Sequence, residues 1–297
     1  MNLSSKPRVA VLRGGSSDAY EASLKTGGYI LANLRNMLEL YEPLDIFISK
    51  NGEWHREGLV HEPHRALQHV DVVWNALHGL SGADDQAQRV LEGLQMPFIG
   101  SSAAASALAM NQDMAKNLYR KFSLLTPAYE VITKDNLNED RLIGIFRTYL
   151  SPIIVKPVRC FSGMFQAFTY NELKESVQKA LALSQRVLVE EFIKGRDVAC
   201  TVIENARGEE IYALLPTLSN QNEVDKQIEQ MAKQAHQIIG LSHYSSSHFL
   251  VTPKKKIYIL KTNSSPELHE DSLTYHALRA TGWRPRDFVD HILRLAM

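Results

Sequence analysis

Three side chains near the C-terminal end stand at spacings suited to handling a charged ligand. Tyr244–Val251 reads as a strand and Lys256–Asn263 as its hairpin partner, with Pro253 and three lysines at the turn. Side chains alternate along a strand, so Lys261 and Asn263 share a face and His248 lies on the adjacent strand. An imidazole nitrogen is a borderline metal donor and an ammonium repels cations, whereas hard divalent ions such as Mg²⁺ prefer oxygen. Upstream, Ile154-Val-Lys-Pro157 is a buried-type strand carrying one lysine. A lysine leaving such a strand can put a compact cation onto phosphate oxygens.

These residues need elements to position them. Arg8–Gly15 is a short buried-type strand ending in glycines, followed by a helix-like segment from about Ala19 to Leu38 and a strand at Leu44–Ser49. Val70–Leu77 is a further strand that delivers His78-Gly79, then come a helix at Asp84–Leu94 and a strand at Met96–Gly100. Strands alternating with helices predict an α/β fold with a wound parallel sheet. Ligands in such sheets collect beyond the carboxyl ends of the strands, where Gly14-Gly15 and His78-Gly79 fall. Beyond residue 101 the pattern changes: one helix over Ala103–Phe122, strands at Ile153–Pro157 and Val187–Ile193, and a β-meander through Asp197–Glu204 and Glu209–Pro216. A helix over Val224–Gly240 with Gly240 as its stop precedes the hairpin, and helices at Asp271–Ala280 and Arg286–Ala296 follow it. Domain boundaries near 100 and 186 divide the chain into 1–100, 101–186 and 187–297.

Lys plus Arg and Asp plus Glu both total 33, so no global field favours nucleic acid or an acidic membrane. The first residues lack the apolar core of a signal peptide, and no apolar run approaches the roughly 20 residues of a membrane helix. The two cysteines, Cys160 and Cys200, have no metal-type spacing and fit a reducing compartment. A soluble, cytoplasmic protein is the expectation.

The motifs resemble the D-alanine–D-alanine ligases, members of the ATP-grasp superfamily, nearly end to end. Val11–Lys25 looks like the family's first strand-turn-helix, Asn75-Ala-Leu-His-Gly-Leu-Ser-Gly82 like its next signature, and Ser106-Ala-Leu-Ala-Met110 like a third. The resemblance implies an ATP-grasp fold, α+β in its C-terminal half, behind an N-terminal wound α/β domain. It makes Glu21 the carboxylate that orients the first substrate's ammonium, a group that needs a charge-assisted acceptor. Read locally, without the resemblance, Glu21 is more readily a solvated first-turn residue. His78 matches a substrate-side histidine, and Ser272 matches the serine that receives the second substrate's carboxylate. Lys156 matches a phosphate-binding lysine, and Ser162 lies in the phosphate loop, Arg159–Phe165, whose backbone N–H groups would close over phosphate. Glu190 would meet the adenine amino group, the backbone at Glu191 and Ile193 would complete base recognition, and Asp197 replaces a ribose-binding glutamate. Locally, Glu190 and Glu191 also read as acidic residues on a solvated edge strand.

Departures from the family pattern gather around the phosphate-to-acyl path. Gln112 stands where relatives have a nucleotide-contacting lysine, with Lys116 four residues on along the same helical face. Phe161 and Phe165 replace loop glycines, and Glu191 reverses a phosphate-side charge. Of the three metal-holding positions only Asn263 is kept; His248 replaces an Asp and Lys261 a Glu. The family arginine that stabilises the oxyanion is Ser246 here, and a glycine sharing that task is Glu267. The family's lid segment is missing, because Leu214–Glu223 runs directly into the next helix. A lid excludes water from a hydrolysable acyl phosphate.

Two functions follow. One is a ligase-derived protein that binds ATP, or another partner, with lost or strongly reduced ligase activity and no family-type Mg²⁺ site. The other is an active ATP-dependent carboxylate–amine ligase forming D-Ala-D-Ala or a related dipeptide for peptidoglycan precursors. Lys261 adds a sharper expectation, metal-independent contact with nucleotide phosphates. A rival is a transition-metal site from His248, His269 and Asp271. The resemblance also implies a homodimer.

Overall fold

Val9 and Val11 are buried on one face of the first strand, and Ala10 and Leu12 on the other, so that strand lies in a sheet covered on both sides. The computed structural model describes residues 6–79, 82–159 and 163–297, with the side chains of 82–86 outside the description. In chain order the elements begin with β1 (Arg8–Gly14), α1 (Tyr20–Arg35), β2 (Glu42–Ile48), β3 (Trp54–Arg56), β4 (Leu59–His61), α2 (Pro63–Ala66) and β5 (Val72–Asn75). Next come α3 (Gly82–Gly93), β6 (Phe98–Ile99), α4 (Ala103–Met110), α5 (Gln112–Lys121), β7 (Tyr129–Thr133), α6 (Glu139–Thr148), β8 (Ile153–Pro157), β9 (Phe165–Ala167) and α7 (Tyr170–Leu183). The chain continues through β10 (Arg186–Glu191), β11 (Arg196–Ala206), β12 (Glu209–Ala213), α8 (Glu223–Ile239), β13 (Tyr244–Val251), β14 (Ile257–Asn263), α9 (Leu273–Ala280) and α10 (Pro285–Ala296).

The chain divides into two units. The first comprises the residues up to Ser106 together with Ala199–Ser246 and Asn263–Met297; the second comprises Ala107–Val198 and Ser247–Thr262. In the first, a six-stranded sheet runs β4-β3-β2-β1-β5-β6, with β2, β1, β5 and β6 parallel and β3 and β4 antiparallel at one edge. One face packs Val9, Val11 and Trp74 against Ile30 and Leu34 of α1 and Phe288 and Ile292 of α10. The other packs Ala10, Leu12 and Val73 against Leu91. Gly14 ends β1 at φ +99°, where a Cβ would fall 2.1 Å from the Ile48 carbonyl oxygen. Only glycine fits so close a strand approach.

The second unit is built on the antiparallel sheet β7-β10-β8-β9. Its alternation sorts the chemistry. Ile153, Val155, Val187 and Val189 face a core with Leu142, Leu173 and Val177 from α6 and α7. Ile154, Lys156, Leu188 and Glu190 therefore point to the opposite face. A third sheet has the order β12-β11-β13-β14.

The single helix expected over Ala103–Phe122 is two helices. Asn111 leaves helical geometry at ψ 94° and its side chain accepts the Met114 N–H, so it caps α5 while ending α4. Gln112 N–H then donates to the Val158 carbonyl (3.1 Å), tying the start of α5 to the end of β8. The helix before the hairpin is as expected. Asn222 and Asp225 form a reciprocal capping box at its start, and Gly240 closes it in the left-handed region at φ 75°.

Candidate functional site

On the open face of the second unit's sheet, Lys156 lies opposite Leu188 and diagonal to Glu190, which itself faces Ile154. Diagonal neighbours are within reach of long side chains. Lys156 Nζ sits 2.8 Å from Glu190 Oε2, and Lys116 Nζ, from α5, sits 3.0 Å from Glu190 Oε1. The Lys116 side chain is wholly buried and also donates to Thr126 Oγ1 at 2.8 Å. Burial brings the Lys116 ammonium down to about 8, against the attraction of Glu190 and helped by the like charge of Lys156. Burial alone would raise the Glu190 carboxyl, but Lys116 and Lys156 together outweigh it and hold the pKa low. The asymmetry has a simple cause: Glu190 sees two cations, while Lys116 sees one anion and a second cation. Each oxygen of Glu190 thus has one ammonium beside it, Lys116 at Oε1 and Lys156 at Oε2.

Around this cluster the expected nucleotide residues divide. The Glu191 side chain turns back to accept the Ala128 N–H at 2.8 Å, and its own N–H donates to the Ala128 carbonyl at 3.0 Å. Glu191 therefore ties β10 to the segment before β7. Ile193 is half-buried just past β10, and Asp197 is exposed. Gln112, where the resemblance expects a lysine, is buried with its side-chain oxygen unpaired. Ser162, with Cys160 and Phe161, lies outside the described residues. The Glu190 carboxylate beside Lys156 fits a nucleotide whose base brings an amino donor and whose phosphates bring charge.

The hairpin has two chemically different faces. Ser247 Oγ and Thr262 Oγ1 are 2.8 Å apart, and Tyr119 OH donates to Thr262 Oγ1 at 2.9 Å, all buried. His248 and Lys261, each one residue along, take the other face and are half-buried. Burial, then the charge of Lys261, lowers the His248 imidazole to about 4, so it is neutral at physiological pH. Lys261 is lowered from its ordinary value by burial first and by the charge of Lys156 second. Asn263, in the first unit, spends its side-chain oxygen on the Ser265 N–H at 3.0 Å. A neutral imidazole, an ammonium and an amide already engaged do not match the all-oxygen shell that Mg²⁺ prefers. Among the described residues no group of three or more His, Cys, Asp and Glu gathers as a metal would require. The rival set draws His248 from the second unit and His269 and Asp271 from the first, and within the first unit His269 Nε2 pairs with Glu267 Oε2 at 2.9 Å.

The first unit holds the expected substrate residues. Glu21 is exposed in the first turn of α1. His78 is buried just past β5, with Nε2 2.9 Å from Thr26 Oγ1, which also accepts the Leu268 N–H at 3.1 Å. Burial lowers His78 to about 4, against Glu267 and a backbone hydrogen bond with Ser265, and His269 lowers it slightly further. Ser17 Oγ donates to the His78 carbonyl at 2.5 Å, holding the β1–α1 turn to this loop. Ser272 caps α9: its oxygen accepts the N–H groups of Tyr275 and His269, both at 3.2 Å, which leaves its O–H free to donate. Ser246, where the resemblance expects an arginine, is buried and accepts from Thr201 Oγ1 at 3.2 Å.

One arrangement that the sequence did not signal imitates catalysis without providing it. Ser245 Oγ is 2.8 Å from His236 Nδ1, and His236 Nε2 is 3.3 Å from Glu204 Oε1. The order of groups is that of a nucleophilic triad. Ser245 and His236 are at most 1 % exposed, so no substrate carbonyl reaches the hydroxyl. Glu204 Oε2 also accepts the His243 N–H at 2.6 Å, which makes this a structural lock between β11, α8 and the start of β13.

Comparisons with known proteins bear on the family and the fold. The family model described as D-ala D-ala ligase C-terminus matches residues 118–215 and 209–294. A D-alanine–D-alanine ligase of Cupriavidus pinatubonensis is 28 % identical, covering 97 % of this chain and 91 % of that protein. The D-alanine–D-alanine ligase B of Chromobacterium violaceum is 30 % identical over 96 % of each. The vancomycin/teicoplanin A-type resistance protein VanA of Enterococcus faecium is 32 % identical, covering 67 % of this chain and 64 % of that protein. Among solved structures, the D-alanine–D-alanine ligase of Coxiella burnetii superposes with a TM-score of 0.87 at 24 % identity, covering 98 % of this chain and 95 % of the other. The VanG D-Ala:D-Ser ligase of Enterococcus faecalis gives the same TM-score at 22 % identity, covering 99 % and 100 %. At those identities the structures speak for the ATP-grasp fold, while the family match and the Chromobacterium relative speak for descent. The chain belongs to the D-alanine–D-alanine ligase family.

Proposed function

We propose that the protein is a nucleotide-binding member of this family whose ligase activity is lost or strongly reduced. The observation that carries the reading is the half-buried ammonium of Lys261 beside neutral His248, at two positions where the resemblance expects metal-binding carboxylates. Acyl phosphate formation depends on neutralising charge that spreads over the transferred phosphoryl oxygens. Loss of one oxyanion donor costs about 10²–10³ in rate, and Ser246 and Glu267 replace two such groups. In this reading Lys156 contacts phosphate, Glu190 accepts from the base with the Glu191 and Ile193 backbone beside it, and Asp197 meets the ribose. Ser162 belongs to the phosphate loop. Glu21, His78 and Ser272 form the amino-acid end, with Glu21 accepting an ammonium and Ser272 donating its O–H to a carboxylate. A cytoplasmic homodimer with three subdomains divided near residues 100 and 186 completes the proposal.

A second reading, an active ligase making D-Ala-D-Ala or a related dipeptide for peptidoglycan precursors, draws support from the amino-acid end. His78 is held neutral and Ser272 keeps a free donor. One assay separates the two. The protein is incubated with ATP, Mg²⁺ and D-alanine while phosphate and dipeptide are followed, beside a Lys156→Ala control. Little or no dipeptide supports the first reading. Robust turnover that disappears in the control establishes the second.

A further inference from the structure

Under the nucleotide reading above, on which this inference rests, Lys156 stands between two partners, the Glu190 carboxylate and a ligand phosphate. Its ammonium lies 2.8 Å from Glu190 Oε2, and one cation paired with one carboxylate would present almost no net charge to an anion. Lys116 alters that balance. Its side chain is wholly buried, with Nζ 3.0 Å from Glu190 Oε1 and donating to Thr126 Oγ1 at 2.8 Å, so it serves the carboxylate and not the solvent. The same Nζ lies 5.4 Å from the centre of the Tyr129 ring, whose face favours a cation. Lys156 is the member of the three that solvent reaches, at 14 % side-chain exposure against 4 % for Glu190. Two ammonium groups and one carboxylate sum to plus one among these side chains, and all three belong to the second unit.

We propose that Lys116 is a positioning residue that neutralises Glu190 from inside the unit, so that Lys156 keeps its charge for phosphate groups. Without Lys116, drawing Lys156 toward a phosphate would leave Glu190 a buried carboxylate with no cation beside it. That desolvation cost would be subtracted from the binding free energy. With Lys116 in place, Glu190 keeps one ammonium whichever way Lys156 turns. The flexible stem and three donors of Lys156 then let it hold a Glu190 oxygen and a phosphate oxygen together.

Isothermal titration of the full chain with inorganic tripolyphosphate and with ATP, each with and without Mg²⁺, tests the proposal. Lys116→Met should weaken tripolyphosphate binding more than about tenfold, because the net charge of the three groups falls from plus one to zero. Adding Glu190→Gln to that variant restores plus one and should return tripolyphosphate binding to within about threefold of the parent. A merely structural role for Lys116 predicts no such rescue, since the double variant removes both halves of the buried pair. Thermal unfolding verifies that the variants fold, and Lys116→Gln serves if the methionine variant does not. Tripolyphosphate binding indifferent to Lys116→Met, or a double variant as weak as the single, overturns the inference and leaves the nucleotide reading in place. ATP binding without tripolyphosphate binding does the same. Tripolyphosphate binding that is lost and rescued as described, without ATP binding, upholds the inference and overturns the nucleotide reading. Binding of neither probe in either buffer overturns both.

Discussion

The wholly buried ammonium of Lys116 stands 3.0 Å from Glu190 Oε1. The pair is electrostatic, and its two halves are unequal because Glu190 also holds Lys156. Glu190→Gln leaves two lysines facing each other without an anion and should cost about 3–5 kcal/mol of stability. Lys116→Met leaves Glu190 its second partner and should cost less, about 1–2 kcal/mol. Urea unfolding of both variants gives the order; a costlier Lys116→Met would show that Lys156 does not share the carboxylate.

His78 should make the fold sensitive to mild acid. Its folded pKa of about 4 lies below the unfolded value near 6.5, so the folded state binds fewer protons between them. Its contribution is complete above about pH 6.5 and is lost as pH falls toward 4, up to about 3 kcal/mol by linkage. His243, also lowered by burial, acts in the same direction. Unfolding free energies at pH 7 and pH 5 should differ by less in His78→Asn than in the parent. An unchanged pH slope would remove His78 from the account.

Ser272 has a structural task that can be separated from ligand binding. Ser272→Ala removes the cap of α9 and should cost about 1 kcal/mol. Ser272→Asp restores the cap but meets a carboxylate ligand with a like charge. Equal stability of the aspartate variant and the parent, with weakened D-alanine binding by calorimetry, is the expected pair of results.

Exchanging His248 and Lys261 together for Asp and Glu replaces a nitrogen donor and a cation with hard oxygen donors. The double variant should acquire Mn²⁺ binding, read by the loss of the free-ion electron paramagnetic resonance signal, where the parent shows none. Binding of Mn²⁺ by the parent would contradict the donor argument.

Much of the second unit's open face was legible in the sequence because its rule is local. A period of two along Ile153–Pro157 and Arg186–Glu191 places Lys156 and Glu190 on the face opposite the aliphatic core, and the same period puts His248 and Lys261 opposite Ser247 and Thr262. Capping chemistry was legible too at Gly240, although Asn111 went unread and one expected helix is two. The segment between Tyr129 and Leu183, which holds α6, α7 and three strands, yielded only Ile153–Pro157 from its sequence, because its amphipathic patterns are short and interrupted.

The sequence by itself determined the family, through the resemblance of its motifs, and the α/β pattern and the two faces of the hairpin, through local periodicity. Tertiary structure decided the partnerships. Lys116 reached Glu190 from 74 positions away along the chain, Glu191 turned to Ala128 instead of a ligand, and Ser245, His236 and Glu204 closed into a lock. Periodicity follows from bond geometry within a few residues. Ion pairing follows from distance and burial, and those are set only when elements remote in sequence pack together.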